Sequence, residues 1–478
     1  MMIHKFITSL ILVASVSCSV FAEGDAYITL HATNKEMMKK SMILTTFKDY
    51  LQSNISGVEQ IAAPDGTGIY KFHISGIKKF QLFFLNADQN MLIHSYIEAG
   101  DDIRIDCSSA DAVDVKAENL HFSGKGSTKL IATTRLAFAS DRPSPGIALN
   151  KKFDRGILDT LVLWVKGQYQ SGMQMIQPLK KDISSPVYKM IQTDVYGVAA
   201  SGVCGYFGGR RKQYASLKDL VDLLADLHRN VPATDMEILS QSASYIDYLI
   251  RSGLTVIDLE DIDPRDRPME MCNALIKMNQ GLLREKTLMI YLCRYDFVTK
   301  SRNPDQVYAK ALEHIKSPFY RNYLTKLAEI RKPGAEAFNF SLPDDKGHVV
   351  RLSDFKNKVV MIDNWFTGCT NCAEMAKRIA HEVLPAFINN PDVVFLNVCA
   401  DRNKAQWLES LQGGKYTHPG SINLFTEGLG ESHPFMKKYN FESFPRVILI
   451  GRDGRMFSSN MPLKSADMIA KINEALKK

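Results

Sequence analysis

A chain of 478 residues is too long for one ordinary domain and sets an expectation of two to four. With 45% hydrophobic and 23% charged residues it is a globular chain, which excludes the disordered and collagen-like classes. The formal charge of +7 is thinly spread, with only short basic runs at Lys151-Lys152, Arg210-Arg211-Lys212 and Lys477-Lys478, so no nucleic-acid partner is expected.

The N-terminus has the pattern of a signal peptide at residues 1–22. Lys5 gives the positive start, the uncharged run Phe6 to Ala22 follows, and Val20-Phe21-Ala22 offers small residues where a signal peptidase cuts. An uncleaved anchor is the rival reading, because a run of this length sits at the lower edge of a membrane span. Lipidation at Cys18 is a second alternative, against which Ser15-Val16-Ser17 lacks the usual Leu. No later stretch is apolar and long enough to span a bilayer, so no membrane span is expected after cleavage. Export into an oxidising compartment follows, namely the periplasm or cell envelope of a Gram-negative bacterium.

From Ala26 to about Ser123, short alternating or apolar runs recur: Ala26-His31, Gly68-Ser75, Phe80-Asn86, Met91-Glu98, Asp102-Cys107 and Leu120-Phe122. Turn residues at Gly76, Asn86-Ala87-Asp88 and Gly100-Asp101 separate several of them. This spacing predicts a small all-β domain, one sheet or a sandwich, over 23–126. His73, His94 and His121 stand alone in these runs and are expected as surface or satisfied core positions rather than metal ligands.

A helical pattern takes over across 127–331. Ser216 is placed as N-cap of a helix from Leu217 to Asn230, with Leu217, Leu220, Val221, Leu224 and Leu227 on one face. Met269 to Phe297 is expected as one or two helices, and Asn303-Pro304 and Ser317-Pro318 open two more. Gly and Pro punctuate the remainder at Pro143-Ser144-Pro145-Gly146, Gly205-Tyr206-Phe207-Gly208-Gly209 and Pro264. Met173, Met175, Met190, Met269, Met271, Met278 and Met289 are expected to fill core gaps rather than to form a metal surface.

Lys332-Pro333-Gly334 marks a boundary, beyond which strands and helices alternate over 332–478. Strands are expected at Lys358-Trp365, Val393-Cys399, Ile422-Phe425 and Arg446-Ile450. Helices are expected at Asn371-Asn389, Asn403-Leu411, Ser432-Tyr439 and after a Ser465 cap. A hairpin turn at Arg452-Asp453-Gly454-Arg455 makes this an α/β unit with an antiparallel addition.

The chain has 8 cysteines, and loss of Cys18 leaves an odd number, which argues against a full disulfide framework. Cys107, Cys204, Cys272, Cys293 and Cys399 stand singly and are expected as buried apolar residues. Cys369 and Cys372 instead form a CxxC at the end of an apolar strand and the start of a helix. There the first sulfur meets unpaired backbone N–H groups and the positive end of the helix dipole, which favours the attacking thiolate. The second lies one turn on, in reach to displace a substrate from a mixed disulfide. Cys369 is thus the candidate nucleophile and Cys372 the resolving residue. The alternatives are half of a zinc site, with Cys399, His381 and His418 available but no second CxxC or HxxxH, and a purely structural disulfide closing a tiny loop.

The run from Lys358 to Cys372, Lys-Val-Val-Met-Ile-Asp-Asn-Trp-Phe-Thr-Gly-Cys-Thr-Asn-Cys, resembles the active-site strand and turn of TlpA/ResA-like periplasmic thioredoxins. Pro333 to Leu342 followed by Gly347 to Phe355 is similar to that family's entry hairpin. Phe444 to Ile450 with Asp453-Gly454 is similar to its cis-proline strand. The combination of β-rich, helical and thioredoxin-like parts also resembles exported proteins of this group. The resemblance implies a thioredoxin fold, thiol–disulfide exchange without a bound cofactor or metal, protein thiols and disulfides as partners, and an upstream membrane electron donor. It implies that Asp363 is the buried acid serving the resolving thiol, that Pro445 faces the CxxC with a cis peptide, and that Trp365 and Phe444 line the substrate surface. Gly368 and Asn371 depart from the Trp and Pro usual before the two cysteines, which leaves the direction of electron flow open. A disulfide oxidase or isomerase, a peroxiredoxin-like peroxidase and a binding or scaffold protein with an accessory redox domain are the rivals. Phe366 stands where a peroxidase wants Thr or Ser.

Overall fold

The computed structural model describes residues 24–49, 53–88, 90–110, 112, 115–139, 155–207, 217–232, 235–260, 262–294, 296–441 and 443–478. The expected signal peptide at 1–22 with Cys18, the Pro/Gly segment 143–146, Gly208-Gly209, the basic runs 151–152 and 210–212, and the Ser216 cap lie outside these residues.

Strands come first: β1 (Gly24–Ala32), β2 (Met42–Phe47), β3 (Gly57–Ala62), β4 (Ile69–Ile77), β5 (Phe80–Ala87), β6 (Asn90–Glu98), β7 (Asp102–Cys107) and β8 (Leu120–Lys125), with a single turn α1 (Ser53–Ser56) before β3. They form two four-stranded sheets, ordered β4-β1-β7-β8 and β3-β2-β5-β6. In β7 the exposed Asp102, Arg104 and Asp106 alternate with buried Ile103, Ile105 and Cys107, the period of two that made the strand legible. Ile28, Leu30, Phe72 and Ile103 of one sheet share a core with Leu44, Phe83 and Ile93 of the other, so the β-rich part is a sandwich. The strand β2 has no alternation to read, because all of its residues are buried. Its Met42 and Leu44 enter the sandwich core while Phe47 packs on the helices.

The helical part comprises α2 (Ser127–Ala137), α3 (Arg155–Ile176), α4 (Ser185–Phe207), α5 (Leu217–Arg229), α6 (Met236–Gln241), α7 (Ala243–Leu259), α8 (Arg267–Met278), α9 (Gly281–Arg294), α10 (Pro304–His314) and α11 (Pro318–Arg331). Pro304 and Pro318 open their helices, and the Tyr320 N–H is bonded to the Ser317 hydroxyl. The buried face of α5 is Leu220, Leu223, Leu224 and Leu227. Val221, expected on that face, is exposed, because a stripe at i, i+3, i+4 and i+7 from 220 leaves 221 at its edge. Met190, Met271 and Met289 are buried in the helical core, whereas Met175 is exposed. His94 on β6 lies beside Asp194 of α4, which accepts hydrogen bonds from Tyr96 and, at 2.6 Å, from Ser242. Burial raises the pKa of Asp194 and lowers that of His94, so both are held toward their neutral forms.

Helices α4 and α7 touch at Gly197, where an added Cβ would lie 2.5 Å from the backbone of Ser244 and Tyr245. Gly197→Ala is expected to destabilise the protein by about 1–3 kcal/mol, although alanine is the better helix former by about 1 kcal/mol. A denaturation midpoint at or above wild type would contradict that close approach.

The C-terminal unit contains β9 (Ser341–Pro343), β10 (Val349–Arg351), β11 (Val359–Trp365), α12 (Thr370–Arg378), β12 (Val393–Cys399), α13 (Lys404–Gly413), β13 (Ile422–Phe425), α14 (Pro434–Tyr439), β14 (Arg446–Ile450), β15 (Met456–Ser458) and α15 (Ser465–Leu476). Its sheet runs β13-β12-β11-β14-β15, parallel across β11, β12 and β13 and antiparallel through β14 and β15. This is a thioredoxin fold with β9 and β10 as an entry hairpin. The helix expected to run to Asn389 loses α geometry after Arg378, passing into a π turn (Ile379–Val383) and a tighter turn (Leu384–Ala386) that holds Pro385. Ser465 is the first helical residue rather than the cap, its hydroxyl being bonded to Glu382 at 2.6 Å.

The helical part is bonded to this unit through Arg331 to the Tyr439 carbonyl (2.9 Å), Tyr323 to Asn440 (2.9 Å) and Asn440 to the Cys293 carbonyl (3.0 Å). Among the described residues no helix is long and apolar enough to cross a membrane.

Candidate active site

All residues of β11 are buried, because β12 and β14 flank it and helices cover both faces. The strand delivers Trp365 to the loop 366–368, and Cys369 then caps α12. Cys369 is joined to Cys372 by a disulfide with Cα atoms 5.2 Å apart. The Cys372 N–H points at the Cys369 sulfur at 3.1 Å, the backbone-to-sulfur contact expected of a cap. Cys369 is 7% exposed while Cys372 is fully buried, so the first cysteine lies nearer the surface than the second.

The loop before Cys369 is fixed from a distance. Asp401, just beyond β12, accepts from the Thr367 N–H (2.8 Å) and its hydroxyl (2.5 Å), and that hydroxyl also meets Ser410 at 2.6 Å. The Tyr416 hydroxyl accepts from the Gly368 N–H at 2.9 Å. Gly368 has φ of +96°, a left-handed conformation that strains any other residue. The departure from Trp at this position is therefore tied to the local backbone.

Asp363 on β11 is 1% exposed, and neither carboxyl oxygen makes a well-formed hydrogen bond. Burial pushes its pKa up to about 8, with the Asn364 backbone N–H pulling weakly the other way. Its neighbour Asn364 donates to the Arg446 carbonyl at 2.8 Å, which pins the start of β14 beside β11. The Phe444–Pro445 peptide is cis. Arg446 donates to Ser443 at 2.9 Å and lies over the Phe441 ring; burial lowers its guanidinium to about 10.

Phe444 and Phe366 are half-buried and meet edge to face with ring centres 5.5 Å apart. Trp365, expected at the substrate surface, is fully buried and stacks on Tyr416 at 5.0 Å. Its strand position turns the indole into the core, so Phe366 takes the outward place. Cys399 lies fully buried in the same cluster as the CxxC, and burial lifts its thiol well above the ordinary value. The single cysteines among the described residues are buried and outside any disulfide. No group of three His, Cys, Asp or Glu side chains placed to hold a metal occurs among the described residues.

Asp401, Ser410, Tyr416, Asn364 and Arg446 escaped the sequence reading. Asn364 carried one visible signal, a polar residue beside Asp363 in a strand whose other residues are apolar. Asp401 and Tyr416 carried none, since their partners are 34 and 48 residues away.

A Redoxin family model matches residues 332–473. The thiol-disulfide oxidoreductase ResA of Bacillus thuringiensis subsp. konkukian is 27% identical over 159 residues, covering 33% of this chain and 84% of the relative. The C-terminal unit is TlpA/ResA-like, and the chain is a thiol–disulfide oxidoreductase. ResA of Geobacillus kaustophilus is likewise 27% identical to the TlpA/ResA-like unit, over 145 residues, 29% of this chain and 73% of that protein. A solved structure of a putative thiol-disulfide oxidoreductase from Bacteroides vulgatus shares 28% identity over 30% of this chain and 97% of its own, with a TM-score of 0.26.

Proposed function

We propose that this protein is an exported reductase of protein disulfides working through the Cys369/Cys372 dithiol. The observation that carries this reading is the asymmetric pair at the head of α12, with Cys369 7% exposed and Cys372 fully buried. The Cys369 thiolate attacks a substrate disulfide, forming a mixed disulfide and releasing one substrate thiol. Cys372, losing its proton to Asp363, then attacks the Cys369 sulfur; the second thiol leaves and the Cys369–Cys372 disulfide remains. A membrane-linked dithiol donor returns two electrons to that disulfide. Pro445 and Phe444 present backbone and an aromatic edge to the substrate, and Trp365 supports the loop from behind. The signal-like segment 1–22 supports export to the periplasm or cell envelope, and the reductive habit of TlpA/ResA-like proteins supports the direction.

Thiol-trapping mass spectrometry across a dithiothreitol series tests the direction. A potential near −270 mV, roughly that of thioredoxin, is expected of a reductase. A value near about −120 mV would make the protein an oxidant. A pair that forms no reversible disulfide would remove the assignment.

A further inference from the structure

The N-terminal sandwich and the TlpA/ResA-like unit face each other across a cleft of about 520 Å³. One wall carries Phe84, Asn86 and Asn90 from β5 and the start of β6, and the other carries Phe366, Gly368 and Phe444. Gly368 and Phe444 immediately precede Cys369 and Pro445 in the chain, so the second wall adjoins the CxxC and the cis-proline. Phe84 and Asn86 are two apart on β5 and so project from one face of the sheet. Asn86 Oδ1 is buried there without a protein hydrogen-bond partner.

An acidic side chain bridges the two walls. Glu59 of β3 accepts from Arg402 at 2.9 and 3.2 Å and from Ser432 at 2.6 Å. Arg402 follows Asp401, which anchors the loop before Cys369, so the clamp is built into the active-site support. Gly430 lets the chain pass close to Arg402, since a Cβ there would lie 3.2 Å from its Cγ. Among the described residues no hydrophobic cluster contains side chains of both the sandwich and the TlpA/ResA-like unit. The contact is thus a polar clamp beside a cleft rather than a collapsed apolar joint.

We propose that the N-terminal sheet is the second wall of the substrate site, that the Glu59 clamp sets its distance, and that the occupant is an extended, cysteine-bearing polypeptide segment. This rests on the reading of Cys369 as the attacking group. A volume of about 520 Å³ is of the size that takes a short segment, not a folded surface. Aromatic faces on both walls receive side chains, and carboxamides at 86 and 90 match peptide N–H and C=O groups, each offering a donor and an acceptor.

The test uses the full chain, reduced beforehand, and two probes that release the same small thiol. One is hydroxyethyl disulfide; the other is a flexible one-cysteine peptide capped as a mixed disulfide with mercaptoethanol. The ratio of the single-turnover second-order rate constant for the peptide to that for hydroxyethyl disulfide is expected to fall about tenfold in Asn86→Ala and in Glu59→Ala, with Glu59→Gln restoring part of it. The thermal midpoint of Asn86→Ala should not drop, because deleting an unbonded acceptor leaves no new unpaired group. Unchanged ratios in both alanine variants would overturn the second wall. Failure of the wild type on hydroxyethyl disulfide would instead overturn Cys369 as the attacking group, and the inference with it.

Discussion

Cys369→Ser is expected to lower disulfide turnover by at least about 10³-fold, to background. A serine hydroxyl neither ionises near neutral pH nor forms a mixed disulfide, so the first bond of the exchange cannot form. The loss should be chemical and not structural. Position 369 caps α12, and serine is among the best residues for that place. Its hydroxyl can take over the contact that the Cys369 sulfur makes with the Cys372 N–H at 3.1 Å. The lost disulfide closes only a short loop between residues 369 and 372, so its removal costs little chain entropy. A thermal midpoint close to wild type beside absent turnover is the expected pair of results. Cys372→Ser should behave differently. Cys369 still attacks, the mixed disulfide cannot be resolved, and the substrate stays attached as an adduct visible by mass spectrometry. If Cys369→Ser keeps turnover while Cys372→Ser loses it, the two roles are reversed.

Asp363→Asn carries the second large effect, and it has a pH signature. Burial holds the carboxyl of Asp363 at about 8 against an ordinary value of 3.8. Between these values the folded protein binds a proton that the unfolded chain has released. Stability therefore falls as pH rises from about 4 to about 8 and levels off above that, by an amount on the order of 5 kcal/mol. Asparagine has no such proton, so the variant should show a flatter dependence when denaturation midpoints at about pH 5 and about pH 9 are compared. In kinetics, the resolving step of the wild type should quicken as pH rises through about 8, because only the ionised carboxylate accepts the Cys372 proton. Asp363→Asn should slow that step by about 10²-fold and lose the rise. Equal pH slopes in the two proteins would remove Asp363 from the proton path.

The CxxC was legible because its geometry is local. Cys369 and Cys372 are three residues apart, so any helix that begins between them sets their relation, and the apolar run before them predicted the strand that places that helix. Asp363 was legible as a carboxyl inside the same run. The alternating strands of the sandwich and the Pro-opened helices α10 and α11 were legible for the same reason, since a period of two or a proline in the first turn is written in consecutive residues. The strand β2 was not named, because a strand whose residues are all buried carries no alternation.

Tertiary structure alone decided the rest. It turned Trp365 inward and left Phe366 and Phe444 to edge the cleft, a choice made by packing against Tyr416 rather than by residue type. It brought Asp401 and Tyr416 to the loop that presents Cys369, and Glu59 to Arg402 across 343 residues of chain. Contacts of that kind cost loop closure, which depends only weakly on intervening length, so neither spacing nor periodicity records them. The amino-acid sequence by itself determined the CxxC pair and the elements that carry it; what surrounds that pair was settled when distant segments packed together.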